Sequence, residues 1–178
     1  MKSILESIYM FGLRNLIFLN YLITGAKPLF KLIRSLNVED KICILNGYIN
    51  LAFVESYLSM NNRGLEKLVE YCNKFSNKTS SIDSTKIDIN KQLLIDQIFW
   101  GVQQSTACFP NSKCLEEAFS QFIILRKKGI AAEMVIGINN PLKVGLDAHA
   151  WIEINGNIVD GMFLTSSVYK PIIRVPNI

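Results

Sequence analysis

Residues 148–160 read Ala-His-Ala-Trp-Ile-Glu-Ile-Asn-Gly-Asn-Ile-Val-Asp, and the Asn155-Gly156 dipeptide at their centre leaves the chain little conformational choice. Asn-Gly fits a two-residue type I′ turn, whose two positions both need φ > 0, so the flanking alternating runs predict a tight antiparallel hairpin. The turn sets the register: Ile154 faces Asn157, Ile152 faces Val159 and Trp151 faces Asp160. Alternation then puts His149, Trp151 and Glu153 on one face, and Ile152, Ile154 and Val159 on the other. His149 is the only histidine in the chain. Asp160 shares its face on the diagonal, roughly 7–8 Å away between backbones, near enough for a carboxylate to reach an imidazole N–H. A three-residue loop would turn Asp160 to the opposite face. Asp147, on the same strand face as His149, is the competing acid. A lone histidine beside a tryptophan also has a plainer reading, local packing.

Upstream, residues 108–129 read as a capped helix. Pro110, Asn111 and Ser112 supply the lead-in and N-cap candidates, Glu116 and Glu117 occupy the first turn, and Arg126, Lys127 and Lys128 precede a terminating Gly129. Cys114 therefore falls in the first turn. Free N–H groups and the positive end of a helix dipole favour an anionic nucleophile there, whereas the two glutamates oppose one unless they face solvent. A thiolate at a helix start, an imidazole base and an orienting carboxylate make a Cys-His-Asp nucleophilic triad. A buried structural cysteine is the alternative for Cys114.

Three runs carry a family resemblance: Cys114-Leu-Glu-Glu-Ala, then Leu125-Arg-Lys-Lys-Gly-Ile-Ala-Ala-Glu-Met-Val-Ile-Gly-Ile, then Ala148-His-Ala-Trp-Ile-Glu-Ile-Asn-Gly. Over about residues 90–165 the chain resembles the transglutaminase-like leader peptidases of lasso-peptide biosynthesis. The resemblance implies a protease triad of Cys114, His149 and Asp160, with Asp147 as the other acid. It implies a precursor-peptide substrate, a small leader-recognition protein and a separate ATP-using lasso cyclase. Residues 1–75 look all-helical, unlike the mixed helix-and-strand recognition module, so that partner is expected as a separate chain. Another transglutaminase-like acyl transferase, a deamidase, or a non-catalytic peptide-binding module of the same fold remains the alternative.

The chain has 178 residues and 49% hydrophobic content, enough for one domain with a substantial core. A net charge of +4, scattered and without an arginine-rich stripe, gives no reason to expect nucleic acid. Cys43, Cys72, Cys108 and Cys114 have no metal-ligand spacing, and one histidine supplies a zinc site poorly. No cofactor is expected, and no Gly-rich Lys-Ser/Thr loop is present to bind ATP phosphates. Reduced thiols and a cytoplasmic location are the expectation, although Cys108 and Cys114 lie close enough in sequence for a regulatory disulfide.

The N-terminal stretch is apolar, but Glu6, Arg14, Asn15 and Asn20 interrupt it, leaving neither a membrane span nor a clean signal-peptide core. Membrane association is therefore not the first expectation. Reversible contact of residues 8–33 with a membrane or a partner stays open. Gly25-Ala-Lys-Pro28 breaks this helix, a shorter one follows to about Leu36, and Asn37-Val-Glu-Asp40 starts a third. Residues 65–75 continue the helical pattern, and 76–88 form a loop within a single domain, 1–178. Residues 89–178 then make the catalytic core. Residues 89–106 form a helix ending at Gln103 and Gln104, either of which is a candidate oxyanion donor beside the Cys114 backbone N–H. Ile130–Ile138 reads as a central strand. The expected fold is α+β: a helical N-terminal part (1–75) packed on a transglutaminase-like or papain-like core, its Cys-bearing helix followed by an antiparallel sheet. The expected activity is cysteine-peptidase removal of a leader from a lasso-peptide precursor.

Overall fold

The computed structural model describes residues 16–59, 63–75, 88–139, 147–159 and 168–176. Six helices precede the strands among these residues. Helix α1 runs through Leu16–Thr24 and bends by 44° into α2, Ala26–Ile33. The others are α3 (Val38–Leu58), α4 (Gly64–Asn73), α5 (Ile89–Ser105) and α6 (Cys114–Lys127), with a 3₁₀ turn at Thr106–Cys108. Strands β1 (Ala132–Asn139), β2 (Asp147–Ile154), β3 (Asn157–Ile158) and β4 (Lys170–Val175) follow. They form one antiparallel sheet in the order β3-β2-β1-β4. The α+β expectation holds, with β1 in the interior of the sheet. The expected 76–88 loop lies outside the described residues apart from Asp88.

Side-chain caps explain where the long helices begin. Asn37 Oδ1 accepts the Asp40 N–H at 2.8 Å, and Asp88 Oδ1 accepts the Lys91 N–H at 2.7 Å, each satisfying a donor that the first helical turn leaves free. Helices α3 and α5 then cross at small residues. A Cβ on Gly47 would lie 2.6 Å from the Gly101 carbonyl oxygen, and one on Gly101 would lie 2.6 Å from that of Cys43. The buried Ser105 hydroxyl lies within donating distance of Ile44 O across the crossing, at 2.8 Å, and of Gly101 O in its own helix, at 2.7 Å. Backbone contact replaces side-chain packing here, which brings α5 close enough to share the core with α3.

Helix α6 is buried from Ala118 to Arg126, with α3 and α5 as helical neighbours and β1 and β2 as sheet neighbours. Phe119, Phe122, Ile123 and Leu125 are fully buried, and each contributes about 1.5–3 kcal/mol of apolar burial. Gly129, at φ +77°, ends the helix as expected, its N–H bonding Arg126 O at 3.0 Å while Ile130 N–H bonds Leu125 O at 3.0 Å. The chain thus turns back into β1.

The hairpin register agrees with the sequence reading. Asn155 and Gly156 have φ of 52° and 74°, Ile154 pairs with Asn157, and Val159 N–H donates to Ile152 O at 3.1 Å. The face bearing Trp151 and Glu153 is nonetheless buried, which alternation alone did not suggest. Trp151 Nε1 donates to Glu153 Oε1 at 2.9 Å, and Arg174 from β4 binds Glu153 at 2.8 Å and Glu133 at 3.1 Å. Strand β4 had not been expected: Pro171 interrupts its pattern, and a proline is tolerated because β4 is an edge.

Gly47→Ala tests the α3–α5 crossing. Although alanine gains roughly 1 kcal/mol of helix propensity over glycine, the clash with backbone should leave the protein less stable by about 1–3 kcal/mol. Urea denaturation reads this directly, and an unchanged midpoint would mean that the helices separate without cost.

Candidate active site

Cys114 is the first residue of α6 and is partly exposed. The N-cap differs from the sequence reading. Asn111 and Ser112 lie in the preceding segment, where Ser112 N–H bonds Phe109 O at 2.9 Å, and Lys113, extended at φ −126° and ψ −176°, occupies the cap. Lysine has no side-chain acceptor to offer. Glu116 compensates from inside the helix, its Oε2 accepting the Lys113 backbone N–H at 2.9 Å, which is one half of a capping box. The two glutamates of the first turn therefore divide. Glu116 is tied to the cap, whereas Glu117 faces the cleft beside Cys114. Burial pushes the Glu117 carboxyl above the ordinary carboxylate range, and the charge of Glu116 adds to it. A more readily protonated Glu117 opposes a thiolate less.

His149 sits near the start of β2. Its ring stacks on Trp151 at 6.3 Å between centroids and 17° between planes, as the shared strand face predicts. Tyr169 is a second ring neighbour, its centroid 5.4 Å from that of His149. The Tyr169 hydroxyl donates to Asp147 Oδ1 at 3.1 Å, and Asn139 Nδ2 donates to Asp147 Oδ2 at 3.0 Å. Asp147 is thus engaged by neighbours on both oxygens, one of which holds the tyrosine against the imidazole. His149 Nε2 is buried and has no hydrogen-bond partner among the described residues. A nitrogen so placed has no competing bond to break before exchanging a proton with a reactant. Tyr169 was missed in the sequence because it is distant in the chain and stands alone before Lys170-Pro171. Glu117 was seen only as a helix-start charge.

One cleft of about 210 Å³ collects Cys114, His149, Gln103, Glu117, Gln121 and Phe99. It joins the end of α5, the start of α6 and β2. Gln103 is exposed and lines it, whereas Gln104 does not. Asp160 lies outside the described residues. A larger groove of about 360 Å³ between α3 and α5 contains Cys43 but no histidine. There, burial raises the Cys43 thiol pKa, and Asp40 and Glu39 raise it further. Chemistry rather than volume favours the smaller cleft. Cys108 is also raised by burial, and Cys72 is pushed up to about 12. Among the described residues no cluster of His, Cys, Asp and Glu is arranged to hold a metal ion.

Two measurements follow from this geometry. Iodoacetamide, mapped by peptide mass, should modify Cys114 in the folded chain while Cys72 reacts only on unfolding; the opposite order would remove Cys114 from consideration as an accessible thiol. Hydrogen bonding to Asp147 holds the Tyr169 phenol above its ordinary value, with burial and the charges of Asp147 and Cys114 adding to it. The bond favours the protonated phenol, so Asp147→Asn should lower the titration midpoint of Tyr169, followed by tyrosine-ring NMR against pH. No change would show that the bond is not formed in solution.

Residues 74–174 match the family model described as the transglutaminase-like superfamily. Neither a curated protein nor a solved structure gives a significant match. The matched region is more than half of the chain and contains Cys114, Asp147 and His149, and the chain belongs to the transglutaminase-like superfamily, which includes cysteine peptidases and acyltransferases.

Proposed function

We propose that this protein is a cysteine peptidase that separates the leader from the core of a ribosomally made lasso-peptide precursor. The observation that carries the reading is the cleft in which the helix-opening Cys114 meets the only histidine of the chain. The runs around both residues, which resemble the leader peptidases of lasso pathways, supply the substrate class. His149 removes the thiol proton as Cys114 attacks the carbonyl at the leader–core junction. The Cys114 backbone N–H, with Gln103 at the cleft wall, donates to the oxyanion. Collapse expels the core's amino terminus, which takes the proton back from His149, and water hydrolyses the remaining leader thioester. Asp160 accepts the other imidazole N–H and stabilises the imidazolium. Asp147 acts at one remove, by holding Tyr169 against the ring.

The proposed setting is the cytoplasm, where thiols stay reduced, with a separate leader-recognition protein presenting the precursor and a lasso cyclase consuming the freed core. The test combines the protein, the recognition protein and the precursor peptide and follows peptide mass. Wild type should release the leader, Cys114→Ala and His149→Ala should abolish release, and Gln103→Ala should lower kcat by about 10²-fold. Cleavage that survives Cys114→Ala overturns the proposed nucleophile.

A further inference from the structure

The bent α1–α2 helix takes no part in the cleft, yet its outer surface is patterned. The backbone stays in the right-handed helical region at Gly25 (φ −79°, ψ −9°), whose N–H bonds Tyr21 O at 3.1 Å and whose carbonyl accepts from Leu29 N–H at 3.0 Å. One angular frame therefore spans both segments. Phe18, Leu22, Leu29 and Ile33 turn inward and pack on the core. Leu16, Leu19, Ile23 and Phe30 point outward, 66%, 51%, 64% and 73% exposed. Steps of three, four and seven residues place these four along one stripe. Exposed Lys27, Lys31 and Arg34 flank Phe30, and no Asp or Glu occurs from Leu16 to Asn37.

The bend is fixed from beneath. The Tyr48 hydroxyl donates to Leu22 O at 2.6 Å and Tyr21 O at 3.2 Å, and a Cβ on Gly25 would lie 2.7 Å from that ring, so only glycine lets the helix sit so low on Tyr48. The stripe is thus presented on a supported backbone. No single helix among the described residues is long and apolar enough to cross a membrane; α1 and α2 reach that length and apolar composition only when taken together across the bend.

We propose that this stripe is a docking surface for an anionic lipid membrane, with the bent helix lying in the interface and Phe30 and the aliphatic side chains entering it. The charge pattern selects this occupant: apolar side chains flanked by cations and free of acids match a surface that is apolar below and negative above. Another exposed apolar row, Val38, Ile42, Leu45 and Ile49 on α3, begins beside Glu39 and Asp40 and lacks that complementarity. This proposal goes beyond the peptidase reading and does not depend on it.

Sedimentation of the full chain with phosphatidylcholine vesicles, with and without phosphatidylserine, tests the surface. The chain should bind the serine-lipid vesicles about tenfold or more tightly than the neutral ones, and added salt should weaken that binding. Lys27→Glu with Lys31→Glu should erase the preference, and Ile23→Ser with Phe30→Ser should reduce binding to both compositions. All four positions are exposed, so circular dichroism and Cys114 alkylation should stay unchanged in either variant. A chain left in the supernatant with both vesicle types overturns the lipid assignment and leaves the stripe to a protein partner. A serine-lipid preference that survives the charge reversal overturns it equally.

Discussion

The structure depends on the enclosure of α6. A helix with helices and sheet packed around it cannot be amphipathic in the usual one-sided way, and burial accordingly runs without a break from Ala118 to Arg126. Phe119, Phe122, Ile123 and Leu125 fix its rotation and depth. Besides the terminal Lys127, the part of α6 left open is its first turn, where Cys114, Leu115, Glu116 and Glu117 are partly exposed. Placing a thiol at that end combines a rigid mount with solvent access, the condition a nucleophile needs if its geometry is to be set before substrate arrives.

The Gly47–Gly101 contact serves the same end from the other side. By letting α5 approach α3 backbone to backbone, it positions the end of α5 so that Gln103 and Phe99 border the Cys114 cleft. The sheet contributes through Gly137 of β1. A Cβ there would lie 2.7 Å from the Trp151 ring and 2.9 Å from Lys170 O, so glycine makes room for the indole on which His149 stacks. Three glycines remote from the reactive atoms thus determine where two of the cleft's walls can stand.

Legibility in the sequence follows how local the determining physics is. Asn155-Gly156 encodes its turn in two residues, and the register of β2 and β3 followed from it. Asn37 announces its helix because the cap bond spans three residues; the equivalent cap at Asp88 was not read from the sequence, which places that residue at the end of the preceding loop. The cap of α6 was misread because Glu116, three residues inside the helix, replaced the expected upstream side chain. Long-range devices left no local pattern at all. Trp151 and Glu153 were read as one strand face without their cover, since Arg174, 21 residues beyond Glu153, closes that face from β4. Tyr169 reaches Asp147 across 22 residues of sequence, and no periodicity reports such a contact.

That last contact bears on how the two acids near His149 divide their work. An orienting carboxylate must accept directly from an imidazole N–H, keeping the tautomer and stabilising the charged form. Asp147 already accepts from Asn139 on one oxygen and from Tyr169 on the other. Its connection to His149 runs through the Tyr169 ring, which restrains where the imidazole sits without accepting its proton. An imidazole in contact with the rings of both Trp151 and Tyr169 loses rotational freedom through aromatic packing, while its Nε2 stays without a hydrogen-bond partner among the described residues. The proposed division is therefore one of kind: Asp147 and Tyr169 restrain the base sterically, and Asp160, the residue that follows Val159 in the sequence, is proposed to polarise it.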